Sequence, residues 1–267
     1  MTTLPHTEKL ILELKNGWLT IWFNTPENRN ALSETLAGEL TATLEAIRDD
    51  RAVRGVTLRG KGGVFCAGGD VKAFMAGLSG GASHDDIAAM NKQGGALFHL
   101  VNTAPQVVVI LIEGAAIAGG LGLACCADIV AATADAKFSL TETQLGIPPA
   151  QIAPHVARRI GLPAARRLML TGARFDGAEA KTIGLVDDIA EDADALDALE
   201  ADIRQSVMRC APGANAVTKE LLLAAPHLDR EAMMDAAAGG FAKCLLSDEG
   251  REGVAAFVGK RKPQWAV

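Results

Sequence analysis

Two stretches decide how this chain folds: Val64-Phe65-Cys66-Ala67-Gly68-Gly69-Asp70-Val71 and Glu113-Gly114-Ala115-Ala116-Ile117-Ala118-Gly119-Gly120-Leu121-Gly122. Each follows a short apolar run that reads as a strand, residues 53–58 for the first and 107–112 for the second. Each also opens what reads as a helix. Glycine at such a turn lets backbone approach a ligand closely, and the first N–H groups of a helix have no internal partner. Two such N–H groups converging on one point make an oxyanion hole, helped by the helix dipole. A dinucleotide loop is the rival reading. Gly68-Gly69 does not fit G-x-G-x-x-G; Gly120-x-Gly122 begins it, but Cys125 stands where the last glycine belongs. Tight strand–helix packing would also explain these glycines, and spacing alone does not choose.

Outward from these turns the pattern is α/β. Residues 10–14 and 19–23 flank Lys15-Asn16-Gly17-Trp18 and read as two strands joined by an Asn-Gly turn. A polar loop over 24–30 leads to Ser33, a helix N-cap ahead of Leu36, Leu40, Leu44 and Ile47 on one helical face. The continuously apolar 107–112 predicts a strand buried on both sides, and 129–132 predicts another. Strands alternating with helices imply a mainly parallel sheet. Beyond residue 150 apolar residues recur at helical spacing through 151–170, 176–185, 193–210, 215–224, 229–246 and 248–259. An α/β core over 1–190 and a helical C-terminal region over 191–267 are expected. The stretch 76–83, AGLSGGAS, reads as a mobile loop.

Composition narrows the classes. The chain has 267 residues, 49 % hydrophobic and 22 % charged, which excludes general disorder and allows one or two domains without disulfides or metal. Its 26 basic and 32 acidic residues leave a net charge of −6, against broad attraction to nucleic acid. Cys66, Cys125, Cys126, Cys210 and Cys244 are odd in number and lack C-x-x-C spacing, so packed thiols in a reducing compartment are expected. Residues 1–17 lack the basic start and apolar core of a signal peptide, and the longest apolar run, 107–118, is broken by Glu113 and Gly114. A soluble cytoplasmic protein without a membrane partner is the expectation.

Phe65-Cys66-Ala67-Gly68-Gly69-Asp70-Val71, followed about 45 residues on by Ala116-Ile117-Ala118-Gly119-Gly120 and then Ala127-Asp128-Ile129, resembles the crotonase (enoyl-CoA hydratase/isomerase) superfamily. Asn24-Thr25-Pro26 with Asn30-Ala31-Leu32, Thr141-Glu142-Thr143-Gln144-Leu145-Gly146-Ile147, Leu170-Thr171-Gly172, Ala178-Glu179-Ala180, Gly184-Leu185-Val186 and Ala256-Phe257 with Lys260-Arg261-Lys262-Pro263 extend it in order over nearly the whole chain. The resemblance implies a ClpP/crotonase fold of repeated ββα units with a helical C-terminal region that oligomerises as a homotrimer or dimer of trimers. It implies an acyl-CoA substrate whose enolate is held at the thioester oxygen by two backbone N–H groups. The first belongs to Gly69; the second matches Gly119, with Gly120 the one-residue alternative. Contacts to coenzyme A match Arg29, Ala67, Asp70 and Lys72, while Phe257 and Lys260 match positions at its adenine and phosphate end, sometimes across a subunit boundary. Independently, Lys260-Arg261-Lys262 is the densest basic run, though such residues also complement a helix C-terminus. No metal or redox cofactor is implied; coenzyme A comes as part of the thioester.

The general base is where the chain departs from the pattern. Hydratases of the superfamily carry a glutamate three positions past the second oxyanion glycine, where this chain has Gly122, and another about 20 residues on, which matches Glu142. Read alone, a loop glutamate is solvated surface. The motif makes Glu142 the single general acid/base, its pKa raised by desolvation beside an apolar cleft. One carboxylate suffices either to move a proton from C2 to C4, converting a 3-enoyl-CoA to a 2-enoyl-CoA, or to add water across a 2-enoyl-CoA. The single glutamate in Glu-Thr-Gln-Leu-Gly-Ile resembles the Δ3,Δ2-enoyl-CoA isomerase branch. The stretch 147–154 is instead similar to hydratases of branched or carboxylated enoyl-CoAs, such as isohexenylglutaconyl-CoA. The Gly122 gap is expected to admit a bulkier acyl group or a water. A catalytically inactive acyl-CoA binder and an RNA-binding module on the same scaffold are the non-enzymatic alternatives, the second disfavoured by charge. His84, His99 and His155 lack metal-ligand spacing. His155 and Gln151 are candidate pocket residues, and Cys66 reads as a packed thiol rather than a nucleophile.

Overall fold

The computed structural model of the chain describes residues 3–71, 75, 77 and 79–266. Strands β1 (Leu10–Lys15) and β2 (Trp18–Phe23) pair antiparallel across Asn16 and Gly17, whose φ angles of 51° and 74° are those of the expected turn. Helix α1 (Glu34–Ile47) is capped by Ser33, whose hydroxyl accepts from the Leu36 N–H at 3.3 Å. Its buried face is Leu36, Leu40, Leu44 and Ile47, as the spacing predicts.

From β2 the sheet continues parallel through β3 (Gly55–Gly60), β4 (Val107–Ile112), β6 (Ile129–Thr133) and β9 (Asp188–Ala190), with β1 at its antiparallel edge. Strand β3 begins two residues later than its apolar run suggested. The Trp18 indole lies over Gly55, so that a Cβ there would stand 2.8 Å from Trp18 Cε3. Only glycine lets the sheet start under that ring.

Successive β4 residues face opposite sides, and all but the first are buried. Val108, Ile110 and Ile112 join the main core with α1, helix α2 (His84–Thr103), α3 (Gly119–Cys126) and α4 (Ala153–Thr171). Val109 and Leu111 meet Leu196 and Val207 of α6 (Ala193–Met208) on the other side. Arg204 of α6 donates to Thr20 Oγ1 at 2.8 Å and pairs with Glu200, stitching that helix to the sheet.

A second sheet is made of three short strands, β5 (Ala115–Ile117), β7 (Lys137–Ser139) and β8 (Arg174–Asp176). Helices α5 (Gly177–Thr182), α7 (Pro212–Ala224), α8 (Arg230–Leu246) and α9 (Asp248–Val258) complete the chain. Helix α7 starts three residues before its apolar pattern, because Pro212 supplies a preset first turn. In the stretch expected to be a mobile loop, Gly77 and Ser79 are helical and Ser83 caps α2 in a capping box with Asp86. Ala76 and Leu78 lie outside the described residues. Among the described residues no helix is long and apolar enough to cross a membrane.

Candidate active site

The two glycine turns are held in register by a single ladder contact. Cys66 and Ala116 form a parallel bridge, in which Cys66 N–H donates to the Ala115 carbonyl at 3.1 Å and Ile117 N–H to the Cys66 carbonyl at 3.0 Å. Three residues further along each segment stand Gly69 and Gly119, which therefore meet. A Cβ placed on Gly119 would lie 3.7 Å from the Gly69 nitrogen, and one on Gly68 would lie 3.5 Å from the Gly119 nitrogen. Gly68 has φ +98° and Ala118 φ +49°, both in the left-handed half of backbone space, and these turn the two chains toward one another. Neither the Gly69 nor the Gly119 N–H donates to an acceptor among the described residues. Gly119 opens α3, so its amide is one of the unpartnered groups at the positive end of a helix. Gly120 is different. A Cβ there would stand 2.5 Å from the Cys66 carbonyl, so this glycine serves close packing and faces the interior.

The same small sheet delivers the carboxylate. Strand β7 lies parallel to β5, Ala116 opposite Phe138 and Ile117 opposite Ser139, with the Ala118 N–H donating to the Ser139 carbonyl at 2.9 Å. Both strands end on one edge, β5 into Gly119 and β7 into the short 3-10 turn Glu142–Leu145. Two side chains pin that turn to α4 and the loop beyond it: Thr143 Oγ1 donates to the Met169 carbonyl at 2.9 Å and Gln144 Nε2 to the Gly172 carbonyl at 3.1 Å. Gly172 has φ +60°, and a Cβ there would sit 2.8 Å from Gln144 Cδ. Glu142 is half-buried, and its Oε2 is buried with no hydrogen-bond partner among the described residues. Desolvation pushes its pKa above the ordinary carboxylate value, opposed by a smaller contribution from its own N–H.

Where a second carboxylate was absent from the sequence, the space is filled. A Cβ on Gly122 would fall onto the Ile152 side chain, 2.7 Å from its Cβ and 3.2 Å from its Cδ1. Both residues are buried. The expectation that the Gly122 gap admits a bulkier acyl group or a water is therefore corrected: Ile152, thirty residues on in the chain, occupies it.

Other candidates divide clearly. Arg29 is exposed with φ +58°, and its carbonyl accepts from the Ala67 N–H at 3.0 Å, so these two adjoin the first glycine turn. Asp70 is half-buried one residue past Gly69. Lys72 lies outside the described residues. Phe257 is 85 % exposed on α9, which packs against α8, and Lys260 is also exposed. Their described contacts are within the C-terminal segment and not with the glycine turns. Burial pushes the Cys66 thiol up to about 12, which fits a packed thiol. His155 Nδ1 is buried without a partner among the described residues, and burial, then Arg158 and His99, hold its pKa below the usual range. No cluster of three or more metal-ligating side chains occurs among the described residues.

Two residues escaped the reading of the sequence. Asn30, buried, accepts from the Thr25 N–H at 2.9 Å and donates to the carbonyls of Lys61 and Val64 at 2.9 and 2.7 Å, fixing the loops on both sides of the first glycine turn. Gln144 anchors the Glu142 turn. Only the resemblance motifs that contain them marked either one.

Paired strand–glycine–helix units of this kind, on a parallel sheet with a helical C-terminal region, are the architecture of the crotonase superfamily. The enoyl-CoA hydratase/isomerase family profile matches residues 13–267, and the chain belongs to that family of enzymes. Among solved structures it is similar to Pseudomonas aeruginosa AtuE, with a TM-score of 0.94 and 50 % identity over 97 % of this chain and 100 % of that one. It is also similar to an enoyl-CoA hydratase/isomerase from Marinobacter aquaeolei, with a TM-score of 0.93 and 42 % identity over 97 % and 99 % of the two chains. The human mitochondrial methylglutaconyl-CoA hydratase is 28 % identical across 95 % of this chain and 75 % of its own length.

Proposed function

We propose that the chain acts on an unsaturated acyl-CoA thioester through an enolate, with Glu142 as its only general acid/base. The observation that carries this is that Glu142 Oε2 is buried without a hydrogen-bond partner among the described residues, in the turn that follows the strand parallel to the one leading into Gly119. In this reading the two amides bind the thioester oxygen and strengthen their hold as negative charge develops there, an effect worth about 10²–10³-fold per donor. The Glu142 carboxylate takes the C2 proton of a 3-enoyl-CoA, the electron pair passes to the thioester oxygen, and the same proton returns at C4 as the C2–C3 double bond forms. With a 2-enoyl-CoA the same carboxylate takes a proton from water as oxygen bonds to C3, and returns it to C2. Arg29, Ala67, Asp70 and Lys72 hold the coenzyme A end, and Phe257 and Lys260 reach its adenine and phosphates from a neighbouring subunit of a trimer or pair of trimers in the cytoplasm.

The names of the relatives favour hydration, including hydration of a branched and carboxylated substrate in the human enzyme. The filled Gly122 position, which leaves one carboxylate, favours the double-bond shift. An assay with crotonyl-CoA and trans-3-hexenoyl-CoA, read by absorbance of the conjugated thioester, separates them. Falling absorbance with the first means hydration; rising absorbance with the second means isomerisation. Replacing Glu142 by Gln lowers either activity by about 10²–10⁴-fold while acyl-CoA binding persists. Full activity in that variant sinks the proposal.

A further inference from the structure

The second sheet leads into both halves of the proposed site, and one residue of its middle strand pairs with both outer ones. Ser139 closes β7, with Ile117 of β5 opposite it on one side and Arg174 of β8 opposite it on the other. Gly119 stands two residues past Ile117, and Glu142 three past Ser139. Sheets of such short strands are marginal by themselves. Whatever fixes the end of β7 therefore decides how the two halves stand relative to one another.

Ser139 is fully buried, and its carbonyl and hydroxyl are both engaged. The carbonyl accepts from the Ala118 N–H at 2.9 Å, immediately before Gly119. The hydroxyl has one proton to give, shared between the carbonyls of Gly172 at 3.1 Å and Ala173 at 3.2 Å. The Gly172 carbonyl accepts in addition from Gln144 Nε2, in the turn that carries Glu142, at 3.1 Å. A continuous hydrogen-bonded path thus runs from the Gly119 turn through Ser139 and Gly172 to the Glu142 turn. Packing alone does not call for a hydroxyl here. Phe138 already anchors β7, its ring stacked on Phe175 with centroids 5.4 Å apart, and alanine would fill nearly the same space as Ser139. A buried hydroxyl costs free energy unless it is bonded, and this one is directed at the carbonyl that Gln144 shares.

We infer that Ser139 is a positioning residue that fixes the Glu142 turn relative to the Gly119 turn, through the Ala118 N–H on one side and the Gly172 carbonyl on the other. The inference deepens the proposed acyl-CoA reading and rests on it. Ser139 touches neither substrate nor reacting atoms in this role; it sets the frame in which amide and carboxylate act together.

Exchange of the C2 protons of butyryl-CoA in D2O, followed by NMR over a range of thioester concentrations, gives kcat and KM for a step that needs both halves. Ser139→Ala is expected to lower kcat about tenfold with little change in KM, the effect of a small misplacement at an otherwise intact site. The carbonyl stretch of bound butyryl-CoA, labelled with carbon-13 at C1, reports the amide hole separately. Ser139→Ala is expected to move that band part of the way back to its free value. Gln144→Ala, which loosens the Glu142 turn alone, lowers kcat and leaves the band in place. Ser139→Cys keeps a weak donor of similar size and is expected to show both changes at smaller size; it carries the comparison if the alanine variant does not fold. A wild-type kcat in the Ser139 variants, or a lowered kcat with the band unmoved, overturns the inference. The acyl-CoA site still stands in that case if wild type exchanges and Glu142→Gln does not. No exchange in wild type, or full exchange in Glu142→Gln, overturns both.

Discussion

At the scale of single residues, the proposed role of Glu142 as acid/base opposes stability. Its carboxyl has no partner for one buried oxygen, and desolvation raises its pKa in the folded chain. A raised pKa means that the stability present below the ordinary carboxylate range is lost as pH rises through the folded-state value. Glu142→Gln is uncharged at every pH and escapes that loss. The variant is therefore expected to melt at a higher temperature than wild type at pH 8 and at the same temperature near pH 4, as thermal unfolding across pH will show. In the proposed mechanism activity runs the other way: kcat/KM of the wild type is expected to rise with pH as the carboxylate ionises, with a midpoint above the usual value for glutamate. Gly122 is a second residue-scale test. Ile152 fills the position, so Gly122→Ala overpacks the core and costs about 1–3 kcal/mol in denaturant unfolding. Adding Ile152→Ala restores part of that loss if the two residues compete for one volume.

At the scale of elements, the larger pieces were legible and the small ones were not. Leu36, Leu40, Leu44 and Ile47 gave α1, and the apolar run 107–112 gave a strand buried on both faces, because periodicity over six or more residues distinguishes period 3.6 from period 2. Strands β5, β7, β8 and β9 have three residues each, too few for any period, and three of them form the sheet whose strands lead into Gly119 and into the Glu142 turn. Their place was carried by the family resemblance alone. The Gly122–Ile152 contact was invisible because it joins residues thirty apart that only the packing of α3 on α4 brings together. The Glu142 turn offers a test at this scale. Gln144→Ala removes its hydrogen bond to Gly172 and is expected to lower kcat with little change in KM, since it loosens the base without touching substrate. Folding stability should fall by only about 0.5–1.5 kcal/mol.

At the scale of the whole molecule, the C-terminal helices expose Leu222, Phe241, Leu246, Phe257 and Val258. The proposed assembly is a trimer or a pair of trimers, which would cover apolar side chains of this kind. Phe257→Asp is expected to reduce the mass seen by size exclusion with light scattering and to weaken acyl-CoA binding together with it. A monomeric wild type that binds acyl-CoA normally contradicts the placement of Phe257 and Lys260 in a neighbour's site. What the fold as a whole contributes is convergence: two glycine turns fifty residues apart are joined by the Cys66–Ala116 bridge, and the proposed site adds Glu142 from the turn that follows the strand paired with Ala115–Ile117. The most direct test of that convergence is exchange of the C2 protons of butyryl-CoA for deuterium in D2O, followed by NMR, because it needs the amide hole and the base but neither hydration nor a double bond. Wild type is expected to exchange these protons and Glu142→Gln to lose at least about 10²-fold in rate. Exchange at the wild-type rate in Glu142→Gln would contradict the account.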